Sequence, residues 1–497
     1  MSNFDLIKST FQNAIDKQSF HVQEFLVHIP LIIDTFNKDF VSASLIPFIK
    51  SLLPFDNVSN HTLLIKQIPL LCPSCSSVNE IIDIIETLLL QEDSTIRKEI
   101  LRMINERVGE EFRLKIFQKI SVSKYDVIRV FSINLVNVLS NEEKEKSLFS
   151  FACDSAFKVR LATVKYLTNL NNDDLVKRLC LVFVDDANPR IRAALPKACK
   201  KMEFYFNEIS DKLCEDLDWY VRVNFAMELL DTLSNETALK YGIKLLKDKV
   251  WYVKLHALRV LNNLIKKVED IEMINISDLF KSMLNICCIS QIALKNAVCD
   301  IVFTLSQIIN LQNYDNYFQL FAEDVITRQS EEMKLYFLTQ ILKYKSVYLM
   351  DIIKENLFDL IKRLISSESW RIRLGIVNML HKISKFIKDK EIDSKIQELC
   401  YPLINDKAEL VRNASIGQMI MFTKEKDSLI PKFYKSLAVS NIFRERQAAL
   451  LVLQNILKTT KKKNSRKILL EEVEKFEKDE CPNVVELAND IKKKNIL

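Results

Sequence analysis

One phrase recurs along this chain. An acidic or hydroxyl residue is followed by a few variable residues, a β-branched residue, Arg or Lys, and then a helical apolar pattern. It reads DSTIRKEIL from Asp93, DSAFKVRLA from Asp154, DANPRIRAA from Asp186 and DLDWYVRVN from Asp216. It returns as DKVWYVKLH from Asp248, SESWRIRLG from Ser367 and DKAELVRNA from Asp406. Self-similarity of this kind marks units that cannot bury their apolar faces alone and must stack on their neighbours. Such an array grows in one dimension, so its 497 residues need not divide into separate globular domains.

The basic member of the phrase falls at Arg97, Arg129, Arg160, Arg192, Arg222 and Lys254, at steps of 30 to 32 residues. The phrase then blurs, with Lys295 and Lys334 as its candidates, and sharpens at Arg373, Arg412 and Arg446. Degenerate units fit around Asp16, Asp56 and Asp479. The expected array holds about fourteen units. Ile372, Ile376, Met379, Ile383 and Ile387 recur at steps of three or four, the buried stripe of a helix. The stretch 352–365 has the same period just before the phrase. Each unit is therefore read as helix A, a tight turn opened by Asp or Ser, and helix B. Only 4 Gly and 10 Pro are present, too few for the frequent turns of a β protein. The fold class is an all-α solenoid of antiparallel helix pairs, one continuous array over 1–497. Gly375 and Gly417 lie early in helix B and predict close helix–helix approach there.

Other function classes find little support. With 71 Lys and Arg against 65 Asp and Glu the net charge is +6, which does not suggest a nucleic-acid groove. Lys461 to Lys463, with Arg466 and Lys467, read as a solvated loop or a nuclear-import signal. The 11 Cys are scattered on apolar helix faces, which predicts no disulfides and a reducing compartment. Cys72 and Cys75 have CxxC spacing but no partner pair. None of the five His has ligand spacing, and no phosphate loop or nucleophile elbow is present. No metal, cofactor or catalytic residue is expected. The opening MSNFDLIKST lacks signal-peptide order, and no apolar run is long enough for a membrane span. The expectation is a cytoplasmic protein with nuclear access.

Helix pairs with this phrase resemble HEAT repeats. ESWRIRLGIVNMLHKI, LCYPLINDKAELVRNASIGQM, LIPKFYKSLAVSNIFRERQAALLVLQNI and DECPNVVELANDIKK together resemble the scaffold (A, or 65-kDa regulatory) subunit of protein phosphatase 2A. The N-terminal LIPFIKSLL and LLIKQIPLL are similar to that family's opening repeats. The likeness is strongest in the last third and from Asp154 to Leu264. One unit fewer than the family's fifteen is present, and the early steps are shorter than its usual ones.

The resemblance implies a non-catalytic scaffold that carries partners on its A–B turns. Residues 366–497 would hold a Ser/Thr phosphatase catalytic subunit through Trp370, Arg371, Glu409, Leu410, Phe443, Arg444 and Asn483. Residues 1–265 would hold a variable regulatory (B-type) subunit through Asn188, Pro189, Arg190, Trp219, Tyr220, Trp251 and Tyr252. Tyr252 stands where the family has Arg. Trp, Tyr and Arg on exposed turns are typical hot-spot residues, although each ring can instead fold down onto its own helix pair. The ladder of Arg97, Arg129, Arg160, Arg192, Arg222, Lys254, Arg373 and Arg412 reads as structural, because partner contacts should not recur in every unit. Two alternatives stand beside this reading: a HEAT-repeat regulatory subunit of protein phosphatase 4, and a HEAT-class transport or assembly adaptor.

Overall fold

The computed structural model describes residues 3–199, 207–267, 275–308, 314–423 and 429–496. These residues are helical throughout, without a strand among them. They form two compact units, Met1–Tyr241 and Gly242–Leu497. Fourteen helix pairs can be followed among the described residues, from Asn3–Ala14 with Ser19–Val27 to Lys463–Glu474 with Pro482–Ile496.

One pair shows how sequence makes the unit. Helix A, Val78–Leu89, is capped by Ser77, whose hydroxyl accepts the Asn79 N–H. It buries Ile81, Ile82, Ile84, Ile85, Leu88 and Leu89. Helix B, Ser94–Arg107, starts at Asp93, whose carboxylate accepts the Thr95 N–H. Its buried stripe is Ile96, Ile100, Met103 and Ile104. Neither stripe is covered within the pair, so helix B packs on the preceding helix B, Val58–Ser74. In the second unit Trp251–Ile265 packs on Ile292–Ile308 and that on Glu331–Tyr344.

The arginines turn this packing into a register. Arg129 reaches forward with a two-pronged ion pair to Asp154, at 2.7 and 2.8 Å, and back to the Ser123 carbonyl at 2.8 Å. Arg160 does the same with Asp186 at 2.7 and 3.0 Å and the Asp154 carbonyl at 2.8 Å. Arg192 continues with Asp216 at 2.6 and 2.8 Å and the Asp186 carbonyl at 2.6 Å. Arg222 takes the Asp216 carbonyl. Each aspartate therefore serves two arginines, one on its side chain and one on its backbone. Its carboxylate also accepts the N–H two residues on: Ala156, Asn188 and Asp218 respectively. Those residues are themselves the N-caps of helix B. The planar guanidinium suits this forked geometry, which a lysine ammonium cannot copy. In the second unit Arg373 pairs with Asp406 and Arg446 with Asp479.

The ladder is discontinuous at three of the expected members. Among the described residues Arg97 donates to the Gln91 and Glu92 carbonyls alone, because the facing turn offers Ser123 where others offer Asp. Asp93 stands four residues before its arginine rather than six, so it caps the helix and takes no part in the relay. Arg412 donates to the Asp406 and Lys407 carbonyls and faces Ser440. Lys254 makes no ion pair among the described residues, and the next turn, Cys288 to Gln291, carries no carboxylate.

Three helices differ from the periodicity reading. The stretch 352–365 divides into the end of Val347–Ile353, a tighter turn at Lys354–Asn356, and Leu357–Ile365. The helix after Trp370 breaks between Trp370–Val377 and Leu380–Ile387. The DANPRIRAA helix splits into Pro189–Arg192 and Leu195–Ala198, since Pro196 has no N–H to offer the preceding turn.

Gly375 and Gly417 separate as well. A Cβ on Gly375 would lie 2.5 Å from Leu335 Cδ2 of the preceding pair, as close approach requires. A Cβ on Gly417 meets nothing within 4 Å, so no packing demands glycine there. Gly417→Ala is expected to stabilise the chain by about 0.5–1 kcal/mol through helix propensity alone. Gly375→Ala should show no such gain. Urea midpoints of the two variants against the parent check this contrast.

Candidate binding surface

The A–B turns present the residues that the resemblance singled out. In the first unit the Asp218 carboxylate fixes the turn by accepting the Tyr220 N–H at 2.8 Å. Trp219 is then 46% exposed and Tyr220 44%, with their rings edge to face at 6.2 Å. Leu217, just before them, is fully exposed. Asn188 and Pro189 are half-buried and Arg190 is exposed. In the second unit Trp251 and Tyr252 are both exposed, ring to ring at 5.4 Å. Tyr252 also packs against His256 at 4.7 Å. Burial, with Arg259 nearby, lowers the His256 pKa below the ordinary histidine value and keeps it neutral.

Trp370 behaves differently. It is half-buried, lying with Ile365, Leu374, Ala408 and Ala414 on the core formed by Val377, Leu403 and Val411. Its outer face is covered by the Arg371 guanidinium, 4.8 Å from the ring centre. The same stack recurs at Phe443, where Arg444 sits at 5.7 Å. Such guanidinium–ring contacts hold a cation at a fixed point on the turn. Glu409 and Leu410 are exposed, as is Asn483, whose carbonyl accepts a long bond from Gln447 at 3.5 Å.

Two clefts lie near these turns. In the first unit a groove of about 440 Å³ crosses three consecutive B helices. It brings Arg190 and Tyr220 together with Leu161, Lys165, Lys197, Asn224 and Glu228. Lys165 and Lys197 were missed in the sequence, yet both stand five residues after a ladder arginine, Arg160 and Arg192. In the second unit a cleft of about 910 Å³ lies between Lys432–Ala438 and Lys463–Glu474. Tyr434, Val439, Lys475 and Phe476 line it, and none of the expected contact residues does.

Among the described residues no group of His, Cys, Asp and Glu could hold a metal ion. Burial pushes the thiols of Cys72 and Cys75 up to about 12, so neither is a thiolate near neutrality. Among the described residues no helix is long and apolar enough to cross a membrane.

No protein-family model matches the chain, and no curated protein matches it. Solved structures share its fold. Kap121p bound to Nup53p aligns with a TM-score of 0.54 and 12% identity, over 92% of this chain and 55% of that one. Kap121p bound to Pho4p gives 0.54 and 13% over the same shares. The Kap95:Nup1 complex gives 0.53 and 12%, over 99% and 66%. The chain thus spans about half the length of the first of these. At such identities the likeness concerns the fold alone: an all-α helical solenoid of the HEAT type, shared with karyopherins.

Proposed function

We propose that this chain is a non-enzymatic adaptor that holds other proteins on its A–B turns and helix-B faces. The observation that carries the reading is the set of exposed, geometrically fixed aromatic and arginine side chains on successive turns. Burying such residues at an interface is a strong source of binding energy. The fold supports it too, since the similar Kap121p structures are protein complexes, with Nup53p and with Pho4p.

Two finer readings divide on different observations. The phrases at Ser367, Asp406 and Asp479 support a protein phosphatase 2A scaffold. Its catalytic subunit would sit on the turns of 366–497 and a regulatory subunit on 1–265, on one continuous array. Holding both raises the effective concentration of substrate at the phosphatase. The fold likeness to karyopherins favours a transport adaptor. A transport adaptor for basic cargo needs an acidic inner surface, whereas the groove at Lys165, Arg190 and Lys197 is basic. Either adaptor would work in the cytoplasm with nuclear access.

Retention of partners from native lysate, read by mass spectrometry, separates the readings. Trp370 supports its own core, so Arg371→Glu/Leu410→Glu is the cleaner variant, both residues being exposed. Loss of a 2A-type catalytic subunit from that variant alone is the expected result. A 4-type catalytic subunit retained without a separate targeting subunit would indicate the phosphatase 4 reading. Nucleoporins or a small GTPase in place of any phosphatase would indicate the transport reading. A wild-type chain that retains no partner would overturn the adaptor assignment itself.

A further inference from the structure

The groove in the first unit carries three cations with nothing to hold them. Lys165, Arg190 and Lys197 are exposed, and none of their side chains makes an ion pair or hydrogen bond among the described residues. Some cations of the same unit are paired, Arg178 with Glu145 and Asp174, Lys212 with Asp185 and Lys158 with Asp126, while others such as Lys98 and Lys119 are not among the described residues; what sets these three apart is that they line one groove. Between the three cations the floor is small and apolar, formed by Leu161, Ala193 and Ala194. Tyr220 stands at the groove with its ring exposed, and the Asn224 amide is tied back to the Tyr220 carbonyl at 2.8 Å. The lone acid, Glu228, lies at one end and takes part in an interaction of its own.

We propose that this groove binds an extended acidic segment of a partner protein. The proposal deepens the adaptor reading and rests on it. The cations lie on two adjacent B helices, Lys165 on one and Arg190 and Lys197 on the next, with Tyr220, Asn224 and Glu228 on the third. Three such helices at about 10 Å spacing span roughly 20 Å, the length of about six extended residues. A floor of Leu161, Ala193 and Ala194 admits a backbone without steric conflict, and the three cations face carboxylates spaced along it. Glu228 sets the direction of the charge pattern. Acidic residues lie over Lys165, Arg190 and Lys197, and the Glu228 end takes neutral or basic ones. Tyr220 supplies a ring edge and a hydroxyl to the same segment.

The test is fluorescence anisotropy of the whole chain with fluorescein-labelled hexaglutamate, at low and at physiological ionic strength. The wild type is expected to bind it and not labelled hexalysine, with affinity falling as salt rises. Lys165→Glu/Lys197→Glu should weaken binding at least about tenfold. Its melting temperature should be unchanged, because both side chains are exposed. Lys461→Glu/Lys462→Glu, which alters the basic run elsewhere, should bind as the wild type does. Absent binding to the wild type overturns the proposal, as does equal affinity in the groove variant or loss in the second variant instead. Inorganic phosphate that displaces hexaglutamate completely at equal charge concentration would overturn the peptide assignment, since the groove would then read isolated anions. If the wild type retains partners from lysate but fails these titrations, the groove falls and the adaptor reading stands.

Discussion

Arg129→Ala is expected to loosen the register of the first unit by about 2–3 kcal/mol around residues 123–160. Breaking a buried pair costs about 3–5 kcal/mol, because the partner charge is left desolvated. The side chains of Arg129 and Asp154 are 15% and 11% exposed, so solvent screening takes part of that away. Three bonds go at once: two to the Asp154 carboxylate and one to the Ser123 carbonyl. Asp154 also accepts from Ala156 and its carbonyl from Arg160, so the damage should spread to helix Phe157–Tyr166. Hydrogen exchange of peptides from helices Asp126–Ile133, Asn141–Ala152 and Phe157–Tyr166 measures it. Arg129→Lys should recover only part of the loss, since an ammonium cannot make the fork and the carbonyl bond together. Protection unchanged from the parent would show that helix packing alone holds the register.

The same variant carries a pH signature. Burial pushes the Asp154 carboxyl up, but the Arg129 bond and the Ala156 N–H outweigh it and hold the group below the usual carboxylate range. Asp406 is held down in the same balance, and Asp479 chiefly by Arg446. A depressed folded pKa means that the stabilisation is complete above the unfolded value of about 4. It is lost as pH falls through the folded value. In Arg129→Ala burial acts on Asp154 without its main counterweight, so that loss begins at a higher pH. The acid-unfolding midpoint of the first unit should therefore move up, which circular dichroism against pH records.

The helix pairs and the ladder were legible in the sequence because both obey fixed offsets. An arginine that must reach a carbonyl six residues back and an aspartate in the next turn repeats at the length of the unit. Asp93 shows the limit of that reading, since a capping aspartate and a relay aspartate differ by only two positions. Exposure was less legible. Trp219, Trp251 and Trp370 occupy the same turn position, yet Trp370 finds a bed of small neighbours, Ala408 and Ala414, on which to lie. That bed comes from the following unit and has no local signal. Lys165 and Lys197 were visible in principle as a repeated position, but only once the units were aligned on Arg160 and Arg192. Gly417 shows the reverse error, a glycine whose scarcity suggested a packing role that no neighbour requires.

Where the ladder dissolves, between Lys254 and Arg373, a different device keeps the pairs in register, and Phe337→Ala is expected to expose it. Phe337 is fully buried, 5.6 Å from Phe303 on the preceding helix B and 6.0 Å from Phe321 on its own helix A. Phe303 in turn stacks on Tyr344 at 5.7 Å. A second cluster joins Phe280, Tyr317, Phe318 and Tyr348 across the neighbouring A helices. Tyrosine hydroxyls supply the polar links that arginines supply elsewhere: Tyr336 donates to Asp300 at 2.7 Å, and Tyr348 donates to Asp315. Burial and these carboxylates raise both phenol pKa values, so the hydroxyls stay protonated as donors. Such interlocking has no fixed spacing, which is why the phrase fades here without loss of the fold. Removing the Phe337 ring should cost about 3–5 kcal/mol in this stretch, through lost burial and the cavity left behind. Phe337→Leu should cost markedly less, because most of the volume remains. Hydrogen exchange should show loss in helices Ile292–Ile308, Asp315–Arg328 and Glu331–Tyr344, with Phe157–Tyr166 in the first unit unaffected, as expected where each unit contacts only its neighbours. Equal loss in both units would instead make the chain one cooperative body, and unchanged protection would remove the aromatic cluster from any role in register.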